Sequence, residues 1–269
     1  MIKKIIFAVI AVLTASAACA CSAEESGFLK ITVLKIGKAD AIIINSQSGA
    51  VLIDAGEEDD GAEILEKARA RGIEKLDYMI ITHYDKDHVG GAAEVIAGME
   101  IGEIIEPGYK KDSGEYNAYV SAAEKAGVKR TVPSKNLSFE LDGAVYDIFM
   151  PKKSSYANEN DYSIAVKVKY AGLSALFAGD ALDARTAELE GEKISANVLK
   201  VPHHGSFQKG NESFFKAVGP QYALITCSDK NPADSKTSSA LIKAGSEVLM
   251  TSDGDIEIIF SDKGIEAFQ

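Results

Sequence analysis

From Phe28 onward, the chain alternates short apolar or β-branched runs with amphipathic segments. In the first half these runs predict strands at 28–36, 41–45, 50–54, 76–82 and 102–107. Apolar residues at helical spacing predict helices at 62–70, 92–96 and 116–126, and Gly127 is in place to end the last of them. This half is therefore predicted to be three strands followed by βα units.

The second half is predicted to begin with two hairpins, whose turns lie at Asp142-Gly143 and Ala171-Gly172. Later strands are predicted at 196–202, 221–227 and 246–251, separated by helices at 212–217 and 238–244. No linker-like stretch divides the chain, so one domain is expected over 28–269. Two such halves could pack sheet against sheet with helices outside, or form another α/β layering.

The first residues have the layout of an export signal. Two lysines precede an apolar run at 5–13, and small residues with two cysteines follow. The run is too short to span a bilayer comfortably. We therefore predict a signal at 1–24 and a location outside the cytoplasm. Lipid attachment at Cys19 or Cys21 would give a membrane-anchored lipoprotein, and cleavage at 18–20 would give a secreted protein; both alternatives stay open.

Charge and cysteine content exclude two classes of site. The net charge of -11 argues against a surface that gathers nucleic acid through a broad positive field, so a polyanion would have to bind through local features. The three cysteines include no Cys-x-x-Cys pair, which rules out a disulfide framework and a thiolate zinc site. Cys227 lies in an apolar stretch and is predicted to be buried.

The segment 82–91, THYDKDHVGG, directly follows a predicted apolar strand, at the edge where α/β sheets place ligand sites. Imidazoles and carboxylates within six residues are donors that a cation would hold together, and they are His83, Asp85, Asp87 and His88. A polar loop that caps the next helix would explain one of these residues and not four. Gly90-Gly91 is expected to allow a tight turn beneath them.

The two remaining histidines of the chain, His203 and His204, end another apolar strand. Asp180 follows a third strand and a glycine; by itself it would be read as the N-cap of a helix at 181–189, but beside the histidines it is predicted to be a ligand. The sequence does not decide which of His203 and His204 binds metal.

Together these residues resemble the metallo-β-lactamase fold superfamily. The resemblance implies a four-layer αββα sandwich and a hydrolase with two divalent metal ions. Asp180 matches the carboxylate that bridges both ions, and Asp54 matches an Asp that supports the ligand loop. The expected chemistry is attack by a bridging hydroxide, with Asp87 and Asp180 as catalytic residues.

Within the superfamily, the chain most resembles the C-terminal hydrolase domain of ComEC-type competence DNA-uptake proteins. The shared features are Asp85 in His-x-Asp-x-Asp-His, the segment 37–41, and His-His-Gly-Ser at 203–206. Asp40 in 37–41 is assigned a supporting role. The chain departs from the competence proteins at Lys38 and Ala39, where they usually carry Gln and Gly, and 231–237 lacks a His that many of them have.

One metal is expected to lose a nitrogen ligand, because Asn160 or Asp161 occupies the place of a His about twenty residues before Asp180. Asn160 is the predicted ligand. With Asp85, this oxygen-rich set shifts the expected metal from strictly zinc towards zinc or manganese.

The predicted activity is phosphodiester hydrolysis, on a small molecule or on a polymer such as nucleic acid or a phosphorylated cell-surface polymer. The alternatives are hydrolysis of a lactone or thioester, with a β-lactam least favoured, and a non-catalytic metal-binding lipoprotein. Lys86, Lys209, Tyr84 and Phe207 flank the ligand motifs and could contact phosphate or a base, although ordinary packing or solvation explains them as well. The oligomeric state is not predicted.

Overall fold

The structure is a computed structural model that describes residues 27–269. The predicted export signal at 1–24, with Cys19 and Cys21, lies outside the described residues. No helix within the described part is long and apolar enough to cross a membrane.

Strands and helices alternate much as the hydrophobic pattern predicts. The strands are β1 (Leu29–Val33), β2 (Ile42–Asn45), β3 (Ala50–Ile53), β4 (Lys75–Ile80), β5 (Glu100–Ile105), β6 (Lys129–Thr131), β7 (Leu137–Leu141), β8 (Ala144–Phe149), β9 (Ala165–Tyr170), β10 (Leu173–Phe177), β11 (Val198–Lys200), β12 (Tyr222–Ile225), β13 (Glu247–Met250), β14 (Ile256–Ser261) and β15 (Gly264–Phe268). The helices are α1 (Gly61–Ala70), α2 (Lys86–Val89), α3 (Ala92–Gly98), α4 (Gly114–Ala126), α5 (Asp183–Leu189), α6 (Asn211–Val218) and α7 (Ser235–Lys243), with short 3-10 turns at Glu58–Asp60, Glu159–Tyr162 and Pro202–Gly205.

Two sheets pack face to face with helices on both outer sides. The first has the order β15-β14-β1-β2-β3-β4-β5-β6, and the second has the order β13-β12-β11-β10-β9-β8-β7. Apolar side chains from both inner faces, such as Ile31 and Val166, form one core between the sheets. Two further cores lie between the first sheet and α1, α3 and α4, and between the second sheet and α5 to α7. The predicted four-layer αββα sandwich is confirmed.

Both predicted hairpins are confirmed. β7 pairs with β8 and β9 with β10 in antiparallel register. The turn residues Asp142, Gly143, Ala171 and Gly172 all have positive φ, the backbone conformation that a two-residue hairpin turn requires.

The C-terminal hairpin of β14 and β15 is the main difference from the sequence-based prediction. It follows the second half of the chain, yet β14 pairs antiparallel with β1 in the first sheet. The pairing of Leu29 with Phe260 joins positions far apart in the chain, which local periodicity cannot reveal.

The ends of several strands meet at one edge of the sandwich and carry the polar residues of interest. Asp54 follows β3, Asp180 follows β10 and Thr226 follows β12. The two sheets are joined here by a hydrogen bond from the Ile164 backbone N–H to the Thr82 carbonyl oxygen, at 2.9 Å.

Candidate metal centre

The metal loop predicted at 82–91 forms the short helix α2, with Asp85 at its N-cap position. The Asp85 side chain makes no capping hydrogen bond. The alternative that Asp85 serves only as a helix cap is therefore wrong, and its carboxylate is free to contact other groups.

Gly90 and Gly91 have negative, helical φ, so the expected tight turn is wrong as the reason for the two glycines. A Cβ on Gly90 would lie 2.5 Å from the Glu58 backbone nitrogen, and one on Gly91 would lie 2.4 Å from the Ala55 carbonyl oxygen. The glycines are needed because segment 55–58 packs directly against the loop.

Five predicted ligands converge in two groups, each with its donor atoms within 4.8 Å of one another: His83, His88 and Asp180, and Asp87, His88 and His204. His88 Nε2 lies 3.3 Å from Asp180 Oδ1, and His204 Nε2 lies 3.2 Å from Asp180 Oδ2. His204 Nε2 is also 3.4 Å from Asp87 Oδ2. Ligands about 2.0–2.1 Å from one tetrahedral metal lie about 3.3 Å apart, so the two atoms of each of these pairs are spaced as ligands of one ion would be.

The buried atoms that face this space lack hydrogen-bond partners. They are His83 Nε2, His88 Nε2, His204 Nε2 and Asp180 Oδ1. Buried polar atoms without partners are costly, and bound cations would satisfy all four. The residues present therefore fit a divalent metal.

Two parallel relays orient the imidazoles. Thr82 Oγ1 donates to Asp54 Oδ2 at 2.7 Å and lies 3.1 Å from His83 Nδ1. Thr226 Oγ1 donates to Asp40 Oδ1 at 2.6 Å and lies 2.9 Å from His204 Nδ1. Because each hydroxyl proton goes to a carboxylate, each hydroxyl oxygen accepts from Nδ1–H, and Nε2 keeps its lone pair for a metal.

His88 follows the same rule without a threonine, since its Nδ1 lies 2.8 Å from Asp54 Oδ2. Asp54 also accepts from the Thr82 backbone N–H at 2.8 Å. Asp40, Asp54 and His88 form a third close group. Its two carboxylates already accept the hydrogen bonds of the threonines and of His88 Nδ1, so it is not assigned to a metal. Asp54 and Asp40, to which the sequence analysis gave supporting roles, thus lie on the side of the imidazoles that faces away from the metal space.

His203 and His204 occupy different environments. His204 is buried and belongs to a donor group, whereas His203 is half-buried and joins none of the groups in residues 27–269. Both have positive φ, as does Asp54. Such backbone strain in non-glycine residues tends to occur at functional sites, and here it turns His204 towards Asp180.

Asp85 lies at the solvent side of the centre between two partners. Its Oδ2 is 3.7 Å from His83 Nε2, and its Oδ1 pairs with the Lys111 ammonium. Lys111 also pairs with Glu159 at 2.7 Å. Sequence reasoning missed Lys111, because it lies 26 residues from Asp85 in a segment without a motif.

Lys200 is a second residue that sequence reasoning missed. Its side chain is 1% exposed, pairs with Asp40, and lies 3.7 Å from Asp180 Oδ1. A charged residue that ends the apolar run of β11 was the available signal, since lysine is almost never fully buried unless paired.

Asp161 is committed elsewhere, because its Oδ1 accepts from the backbone N–H groups of Leu182 at 3.0 Å and Arg185 at 3.1 Å. It caps α5, so reading Asp180 as the N-cap is wrong; that position belongs to Leu182. Asn160 is buried in the adjacent 3-10 turn, and its assignment as an oxygen ligand stays a prediction.

Of the residues flanking the ligands, Tyr84 is a packing residue. It is buried, and its hydroxyl lies 3.0 Å from Glu106 Oε2 and 2.8 Å from the Pro107 carbonyl oxygen. Lys86 is exposed and faces Glu57, so neither residue contacts the centre in this arrangement.

The pKa values of the centre are shifted because its carboxylates and imidazoles stabilise one another in their charged forms. Burial raises the pKa of Asp180, but the His204 and His88 imidazoles outweigh it and hold that pKa well below its ordinary value. Burial lowers the pKa of His88, yet Asp180, Asp54 and Asp40 raise it well above 6.5. The pKa of Asp87 falls to about 2, because His204 and His88 outweigh the effect of burial.

An αββα sandwich whose strand ends carry buried imidazoles around a shared carboxylate defines a metal-dependent hydrolase. A model of the metallo-beta-lactamase superfamily matches residues 35–228, and the chain belongs to that superfamily.

The predicted resemblance to ComEC-type competence proteins is also confirmed. The chain is 26% identical over 228 residues to ComE operon protein 3 of Bacillus subtilis, covering 75% of this chain and 29% of that protein. It is 25% identical over 201 residues to competence protein ComA of Neisseria gonorrhoeae, covering 73% and 26%. The chain thus spans less than a third of the length of these relatives.

Among solved structures, the metallo-beta-lactamase fold protein YhfI from Bacillus subtilis has a TM-score of 0.57 with 13% identity. The match covers 90% of this chain and 100% of YhfI. This similarity supports the fold alone.

Proposed function

We propose that the protein is a phosphodiesterase that uses two divalent ions, zinc or manganese, and cleaves a small-molecule or polymeric phosphodiester, including nucleic acid. The observation that carries the proposal is the donor set, in which carboxylates match imidazoles in number. Its members are His83, His88, His204, Asp85, Asp87 and Asp180. Oxygen-rich sites of this kind suit zinc or manganese and the transfer of phosphoryl groups.

Divalent ions, when bound, polarise a phosphoryl oxygen and lower the pKa of water. The residues supply the rest of the chemistry. Asp180 faces His88 with one oxygen and His204 with the other, so it can hold both metal positions in a fixed relation. Asp87 is 20% exposed and is ionised at neutral pH because its pKa is lowered, so it can accept a hydrogen bond from the attacking water and orient it.

The similarity to competence proteins favours nucleic acid among the phosphodiesters. The match covers 29% and 26% of the two relatives, so the substrate of the whole relative does not transfer directly. A phosphorylated cell-surface polymer is the second substrate to test.

We further propose that the protein acts outside the cytoplasm, either lipidated at Cys19 or Cys21 or secreted. The basic, apolar and small-residue order of 1–24 supports this. Mass spectrometry of the mature N-terminus distinguishes a lipidated cysteine from an unmodified cleaved chain, and an intact Met1 would contradict export.

The activity is tested with purified protein supplied with zinc or manganese, on single-stranded DNA and bis-p-nitrophenyl phosphate. We expect cleavage that Asp180→Ala and Asp180→Asn reduce by about 100-fold or more, while the exposed control Asp262→Asn keeps full activity. Circular dichroism checks that the variants are folded. Absence of cleavage on both substrates, or turnover of a lactone, thioester or nitrocefin in preference, would reject the proposal.

A further inference from the structure

The Lys111 ammonium lies at the solvent side of the metal centre. Lys111, in the segment between β5 and α4, pairs with Asp85 and with Glu159. We propose that Lys111 binds the anionic phosphoryl group of the substrate and so determines a preference for phosphoesters over neutral esters. This inference rests on the proposed function and names the residue that recognises the substrate class.

The two oxygens of Asp85 place Lys111 beside the donors without making it one of them. Oδ2 faces His83 Nε2, and Oδ1 faces the ammonium. The Asp85 carboxylate therefore lies between the Lys111 ammonium and the space that His83 Nε2 faces. A phosphoryl group held there would present a second oxygen within reach of the ammonium.

Exposure separates Lys111 from Lys200, the buried cation beside the metal donors. Lys200 is 1% exposed and is enclosed by Asp40 and Asp180, so a substrate cannot reach it. The Lys111 side chain is 22% exposed, so a substrate can reach its ammonium. It also borders a cavity of about 850 Å³ whose lining contains none of the six proposed metal donors. An ammonium has three N–H donors, and its two carboxylate partners leave one for a phosphoryl oxygen.

The segment that carries Lys111 is held in place by aromatic contacts. The Tyr84 backbone N–H donates to the Tyr109 hydroxyl at 2.8 Å. The Tyr109 ring stacks on Tyr162, with ring centroids 4.4 Å apart. Tyr162 is close in the chain to Glu159, so this stacking holds together the two segments that carry Lys111 and its partner Glu159.

The charge of the centre explains why a cation at the position of Lys111 would help to bind an anionic substrate. The centre collects five carboxylates, Asp40, Asp54, Asp85, Asp87 and Asp180, in a protein of net charge -11. Two bound divalent ions and the Lys200 ammonium would offset these five carboxylates, so Lys111 is the cation that remains to meet the charge of an anionic phosphodiester, which a neutral ester lacks.

The test compares Lys111→Met, Lys111→Arg and Lys110→Met in the full protein. Lys110 borders the same cavity and makes no ion pair in the described residues, so it is the matched control. Binding of dimethyl phosphate is followed by phosphorus NMR relaxation in manganese-loaded protein, which requires no hydrolysis. Metal content and melting temperature are measured for each variant.

We expect Lys111→Met to weaken dimethyl phosphate binding by about 10- to 100-fold at unchanged metal content, because a charged hydrogen bond is lost. Lys111→Arg should restore part of it, and Lys110→Met should resemble the wild type. If the enzyme cleaves bis-p-nitrophenyl phosphate, KM should rise more than kcat falls, and hydrolysis of p-nitrophenyl acetate should change little.

Unchanged binding in Lys111→Met would overturn the inference. Loss of bound metal in Lys111→Met would also overturn it, because Lys111 would then act by positioning Asp85. An equal loss of binding in Lys110→Met would overturn it too, because any nearby positive charge would then have the same effect. Failure of the wild type to cleave any phosphodiester would instead reject the proposed function, and the binding measurement would still decide the role of Lys111.

Discussion

At the scale of single residues, the centre depends on groups that never face the metal space. Thr82 and Thr226 each donate a hydroxyl hydrogen bond to a carboxylate and accept one from an imidazole, so the tautomers of His83 and His204 are set by their neighbours. The threonines therefore keep the Nε2 lone pairs of His83 and His204 available to a metal.

Replacing Thr226 by Val keeps the shape of the side chain and removes the hydroxyl. We expect Thr226→Val to lower zinc affinity by about 10- to 100-fold, because the His204 tautomer loses its partner. Thr226→Ser, which keeps the hydroxyl, should remain close to the wild type. Competition with a chromophoric chelator measures both, and equal affinities in the Val and Ser variants would contradict the relay.

The adjacent histidines offer a second matched pair. His204→Ala should lose bound metal, since its Nε2 lies within 3.4 Å of both Asp87 and Asp180. His203→Ala should keep its metal, because His203 joins no donor group in residues 27–269. Elemental analysis of the purified variants decides between them, and the opposite ranking would show that the turn at 202–205 rearranges on binding.

At the scale of elements, the C-terminal hairpin is tied to the first sheet by polar contacts as well as by strand pairing. Asp255, just before β14, accepts from the Lys35 backbone N–H at 2.8 Å and from Lys67 Nζ of α1 at 2.7 Å. Burial raises the pKa of Asp255, but these partners and Arg71 outweigh it and lower that pKa.

A folded-state pKa below the unfolded value gives stability that is present above the unfolded pKa and lost as pH falls through the folded one. Asp255→Asn should therefore reduce the free energy of unfolding by about 1 kcal/mol at pH 7, and by less as pH drops below about 4. Urea unfolding at both pH values measures this. The exposed Asp253→Asn is the control, and a pH-independent difference would contradict the assignment.

At the scale of the whole molecule, the centre lies where the two halves of the sandwich meet. Asp40, Asp54 and the loop 82–91 come from the first half, whereas Asp180, Lys200 and His204 come from the second. A bound metal would therefore connect both sheets and stabilise only the folded chain.

Removal of metal with a chelator should lower the melting temperature, and return of zinc or manganese should restore it. At a free metal concentration of 100 times Kd, the stabilisation is about 2.7 kcal/mol, or a shift of about 5–10 °C in a chain of this size. Calorimetry of the wild type and Asp180→Ala measures the difference. A wild-type melting temperature that does not respond to metal would contradict a centre shared by both halves.

Most strands, helices and hairpin turns were predictable, because hydrophobic period and turn chemistry act over a few neighbouring residues. The metal loop was predictable for the same reason: four donors lie within six residues at a strand end. Asp54 and Asp40 could be assigned supporting roles only through resemblance to a family, since nothing local marks them.

The amino-acid sequence by itself therefore determined the alternation of strands and helices, the donor types and the strand ends that carry them, whereas the αββα layering followed from the family resemblance. Tertiary structure decided which histidine faces Asp180, that Thr226 meets Asp40 across 186 positions, and that Lys111 and Lys200 supply the cations. It also decided that the last hairpin completes the first sheet. These contacts join segments distant in the chain, and their energy depends on packing and burial that no local pattern records.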